Sequence, residues 1–171
     1  MRKLIASLAV ILATTALAAD TADLDWRMIG QIWRLVKDET GAPPDLPMPP
    51  IEISSNMPAA ARMMFQYPTQ ETATDRMIIL INPTTLETYD RDMIDWGLGH
   101  ELTHYALILE ENGWDTGLAF YQQQRLHHCN RRFMKITRDI ADLITSVYHD
   151  ERARYQMYNQ VQRSCVDQPH Q

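Results

Sequence analysis

His100-Glu101-Leu102-Thr103-His104 is the stretch from which the rest of the chain can be read. On an α-helix, residues i and i+4 lie about 40° apart on one face, so both imidazoles of an H-E-x-x-H pattern can reach the same metal ion. Glu101 follows the first histidine and projects beside that ion, where a carboxylate can take a proton from water. Zinc suits two neutral imidazoles plus a third protein ligand, with one position left open. The flanking residues support a helix. It is expected to begin near Asp90 or Asp92, to carry Met93, Ile94, Trp96, Leu98, Leu102, Tyr105, Ala106 and Leu109, and to end at Asn112-Gly113. Gly97 and Gly99 are poor helix formers just before the pattern. They allow either close approach of a strand or substrate, or tight packing of another helix.

The five residues resemble the signature of the zincin metallopeptidases. The resemblance implies a minimal zincin-like α+β fold, mainly helical, with a small β-sheet beside the motif helix. It implies a zinc cofactor held by His100 and His104, with Glu101 catalytic, and hydrolysis of peptide bonds in a peptide or protein substrate. The metzincin branch would continue with Gly at 107 and His at 110, whereas this chain has Leu107 and Glu110. On a continuing helix Glu110 points about 240° away from His104, so it is set aside as a ligand. In the gluzincin branch the third ligand is a Glu on a later helix. Here Glu151-Arg152-Ala153-Arg154-Tyr155 loosely resembles that helix, with Arg154 where an acidic residue often stands. Glu151 falls in register with Ile140, Ile144, Val147 and Tyr155 and is therefore expected to face inward. A lone carboxylate on such a stripe is costly unless paired or metal-bound. Asp150, His149, and His127 or His128 are the alternatives. Tyr105, Tyr155 and Tyr158 are candidates both for core packing and for stabilising an oxyanion.

The remaining segments fit around this helix. Leu24, Met28, Ile29, Ile32, Trp33 and Val36 form one helical stripe, with Asp23 or Asp25 as a cap and Gly41 at the end. Pro43 to Pro50 is an extended connector. Ile51-Glu52-Ile53 alternates like a short strand, and Met57 to Met64 is ambiguous. Arg76 to Asn82 is the best strand. In position and character it resembles the zincin strand that runs along the cleft rim and pairs with extended substrate. Two further helices are expected, one over roughly Gly117 to Lys135 and one from about Thr137 to Val161.

The ends and composition set outer bounds. Met1-Arg2-Lys3, an apolar run from Leu4 to Leu17, and small residues at Ala16, Ala18 and Ala19 read as a secretory signal peptide over 1–19. This predicts a periplasmic or secreted protein with no stable membrane anchor and one domain over 20–171. The 16 Lys and Arg stand against 22 Asp and Glu, a net charge of −6. Loss of Arg2 and Lys3 with the leader makes it more acidic, which gives no electrostatic reason to bind nucleic acid or an anionic membrane. The two cysteines, Cys129 and Cys165, read as one disulfide in an oxidising compartment, and the alternative makes Cys129 a metal ligand beside His127 and His128. Two other functional classes remain open: a secreted zinc-binding or partner-binding domain that cuts nothing, and a helical structural protein in which the motif is accidental.

Overall fold

The computed structural model describes residues 21, 24–57, 63–66, 77–111, 113–114 and 129–166, with the backbone alone over 63–66 and 164–166. Residues 1–19, where the sequence leads one to expect a leader, most of the helix expected over 117–135, and His127 and His128 lie outside the described residues. The elements follow in the order α1 (Trp26–Thr40), β1 (Ile51–Ile53), β2 (Met63–Gln66), β3 (Ile78–Ile81), α2 (Pro83–Thr88), α3 (Arg91–Glu111), α4 (Arg131–Tyr148) and α5 (Glu151–Val166). This is an α+β arrangement, mostly helical with one small sheet.

Helix α1 starts where the sequence signals it. The Asp25 side chain accepts from the backbone N–H of Arg27 and Met28, two donors with no intrahelical partner. At the other end Gly41 takes the left-handed conformation (φ 70°) and its N–H returns to the Lys37 carbonyl. The motif helix α3 is the hub. It packs on α1, α4 and α5, and on the sheet at β2. It is buried around most of its circumference, with Leu98, Leu102, Ala106, Ile108 and Leu109 fully enclosed, as a central helix must be. Gly99 explains how α1 and α4 come so close. A Cβ there would lie 2.8 Å from Cγ2 of Ile140 on α4 and 3.0 Å from Cγ2 of Ile32 on α1. Of the two uses open to this glycine, tight helix packing is the one realised.

The sheet has the order β1-β3-β2, with β1 parallel and β2 antiparallel to β3. Ile79 and Ile81 turn toward the helices, while Ile78 and Leu80 pack with Met57 on the opposite face. The strand expected over Arg76 to Asn82 is therefore real, but it is the middle one. Its hydrogen bonds are taken on both sides, so β3 cannot pair with an extended substrate in the way the rim comparison implies.

The C-terminal region departs from expectation more sharply. In place of one helix from Thr137 to Val161 there are two, separated at His149-Asp150. His149 is left-handed (φ 60°), and its N–H closes α4 on the Thr145 carbonyl. Asp150 then caps α5 by accepting from the N–H of Arg152 and Ala153. The break resets the register. Val147 and Tyr155, expected inside, are 47% and 70% exposed, whereas Ala153, Met157 and Val161 are buried.

Two tethers fix the start of α4. The Arg132 guanidinium grips both carboxylate oxygens of Glu110 at 2.7 Å and donates to the Glu39 carbonyl at the end of α1. One residue so joins three helix ends. Cys129, just ahead of the helix, is disulfide-bonded, and the only other cysteine in the chain is Cys165. A disulfide at Cys129 is what the sequence leads one to expect, and it excludes Cys129 as a metal ligand in this oxidised form. No helix among the described residues is long and apolar enough to cross a membrane.

Candidate metal centre

Helical spacing brings His100 and His104 together as the motif demands. Their Nε2 atoms lie 3.2 Å apart and their ring centroids 4.8 Å apart. Two nitrogens bound to one tetrahedral zinc at 2.0–2.1 Å are separated by about 3.3 Å. The two atoms already stand at the length of a coordination-tetrahedron edge, so the pair fits the metal that the motif implies. His104 is almost fully enclosed, 1% exposed, while His100 is half-buried, so the open approach lies on the His100 side.

The walls around the pair are aromatic. Trp96 lies 5.6 Å from His100, ring to ring, and its indole N–H is engaged with the Thr137 carbonyl. Phe133, in the first turn of α4, sits 4.5 Å from His104 at a 34° tilt and 5.0 Å from His100 at 90°. On the same helix, one residue after His100, burial pushes the Glu101 carboxyl up to about 7, because taking it out of water disfavours its charge. A carboxyl poised near neutrality can both accept and release a proton.

No family model matches the chain. No curated protein and no solved structure matches it either.

The other candidate ligands are placed elsewhere. Glu151 does not face inward: its side chain is 76% exposed and pairs with Arg154 at 3.3 Å. Asp150 serves as the α5 cap, and His149 is exposed at the break between the helices. The reason is the reset of register at His149, which turns the expected stripe outward. Among the described residues, no third His, Cys, Asp or Glu is grouped with the histidines as a potential metal ligand. The tyrosines divide similarly. Tyr105 is buried against Trp33, Tyr158 bonds to Asp142 at 2.6 Å, and Tyr155 is at the surface.

A second polar cluster on α3 was not singled out from the sequence. Asp95 is fully buried, and its Oδ2 lies 2.7 Å from the Tyr148 hydroxyl, which also reaches Asp25 Oδ2 at 3.1 Å. Among the described residues Asp95 Oδ1 has no hydrogen-bond partner. Burial raises the Asp95 carboxyl to about 7, while backbone N–H groups led by Met28 hold Asp25 below the usual carboxylate range. The Tyr148 hydroxyl stands between two carboxyl groups and donates toward both, at 2.7 Å to Asp95 and 3.1 Å to Asp25. One signal was legible beforehand, since Asp95 shares the face of Leu98 and Leu102 on the central helix. Phe133 carried no comparable signal, because its contact with the histidines depends on how α4 docks.

Proposed function

We propose that the chain is an exported zinc-dependent metallopeptidase whose metal rests on His100 and His104 and whose proton carrier is Glu101. The observation that carries this reading is the convergence of the two Nε2 atoms at 3.2 Å on the helix that also carries Glu101. Zinc bound there supplies Lewis acidity, lowering the pKa of water and polarising a carbonyl. The chain's own residues supply the rest. Helix α3 fixes both imidazoles on one face. The aromatic walls exclude water from the His104 side and strengthen electrostatic interactions at the pair. Glu101 accepts a proton from water as its oxygen bonds to the scissile carbonyl carbon. It then passes that proton to the departing amine nitrogen as the C–N bond breaks. Substrate does not add to β3, whose two edges are occupied. The disulfide at Cys129 supports export to an oxidising compartment, as the N-terminal leader pattern does.

A non-catalytic zinc-binding or partner-binding domain is the second reading. The exposure of Glu151 favours it, because the expected third ligand does not stand with the pair. Glu101→Gln separates the two. On the peptidase reading, the variant keeps zinc and loses hydrolysis of a fluorogenic peptide library by at least a hundredfold, the lower range for a lost general base. A wild-type protein that is zinc-loaded yet cleaves no library member, with Glu101→Gln indistinguishable from it, supports the binding reading instead.

A further inference from the structure

We infer that Phe133 is a positioning residue for the metal centre, holding both imidazoles in the geometry that binds the ion; this rests on the metal-site reading above. The phenyl ring is 1% exposed and touches both histidines at once, lying over His104 and perpendicular to His100. Free histidine side chains on a helix sample several rotamers, and only some of these bring two Nε2 atoms to a common point. A ring wedged against both removes the alternatives before the metal arrives. The ordering cost is then met on folding and no longer opposes binding. The contact also suits the loaded state electronically. An imidazole that has donated its lone pair to a cation is electron-poor, and a phenyl face attracts it.

The placement of Phe133 is itself over-determined, as a positioning device requires. It lies one residue beyond Arg132, which is locked to Glu110 and to the Glu39 carbonyl. It lies three residues beyond Asn130, whose side chain caps the helix through the Arg132 N–H at 2.8 Å. It lies four residues beyond the disulfide-bonded Cys129. Glu110 is on the motif helix itself, so the clamp fixes Phe133 relative to the histidines it touches.

The test is cobalt(II) binding to the oxidised chain from residue 20 onward, followed by visible absorption and by competition with a chromophoric chelator. Wild type, Phe133→Leu and Ile144→Val are compared. Ile144 is buried on the same helix, eleven residues or about 16 Å further along, and so controls for general loss of core packing. Phe133→Leu is expected to bind at least tenfold more weakly, with an altered cobalt spectrum and unchanged far-ultraviolet circular dichroism. Ile144→Val is expected to bind like wild type. Equal affinity in Phe133→Leu and wild type overturns the inference, as does an equal loss in Ile144→Val. If Phe133→Leu does not fold, Phe133→Met is read in the same way. Failure of the wild type to bind cobalt or zinc overturns the metal-site reading itself, and this inference with it.

Discussion

Replacing Asp95 with asparagine should stabilise the protein in mild alkali and have little effect in acid. The carboxyl is fully buried in α3, with Tyr148 from α4 and the α1 cap Asp25 on one side. Arg91 and Asp92 on its own helix contribute weaker fields of opposite sign. In the folded chain it titrates at about 7, against an ordinary value of 3.8. Between these limits the folded state binds the proton that the unfolded state has released, so stability falls as pH rises from about 4 to about 7 and is flat above. Each pKa unit corresponds to 1.36 kcal/mol, so ionising Asp95 in place costs about 4 kcal/mol in total, of which about 3 kcal/mol falls above pH 5. Asparagine keeps the shape, cannot ionise, and can offer an N–H to the Tyr148 oxygen. Urea unfolding of both proteins at pH 5, 6, 7 and 8 reads the effect directly. The stability of Asp95→Asn relative to wild type should rise by about 3 kcal/mol across that range. Parallel curves, with a difference independent of pH, would refute the assignment of a neutral buried acid.

Three other substitutions test the framework. Gly99→Ala gains roughly 1 kcal/mol of helix propensity but drives a methyl group into Ile140 and Ile32, both β-branched and stiff. Overpacking of about 1–3 kcal/mol should dominate, giving a net loss of about 1 kcal/mol in chemical denaturation. Asp150→Ala removes the α5 cap and should cost about 1 kcal/mol, with reduced amide-exchange protection at Arg152 and Ala153. Glu151→Ala removes an exposed ion pair and should alter thermal stability by no more than about 0.5 kcal/mol.

The fold was legible where local chemistry decides it. Asp25, Gly41, Asn82-Pro83 and Gly113 each mark a boundary through a cap, a fixed φ or a left-handed turn, and the elements stop there. The histidine pair was legible because a four-residue spacing is a property of one helix. The failures arose where tertiary arrangement decides. Extending the Ile140-Ile144 stripe through Glu151 assumed an unbroken helix, yet His149 can take a left-handed turn and Asp150 can cap the next helix. Asp150-Glu151-Arg152-Ala153 is itself a helix start, a local signal that competes with the apolar periodicity running through it. The middle position of β3 was also hidden, since strand order is a long-range property that no local pattern encodes. Phe133 reached the site through docking of α4, held by an ion pair between residues 22 apart in the chain.

The most direct test is zinc content of the purified chain from residue 20 onward, after incubation with zinc and gel filtration, for wild type, His100→Ala and Glu151→Ala. His100 is half-buried, so its removal disturbs the core less than removal of the enclosed His104. The account predicts one zinc per chain in wild type and in Glu151→Ala, and none in His100→Ala. Zinc retained by His100→Ala, or absent from the wild type, would contradict the claim that this histidine pair is a metal centre.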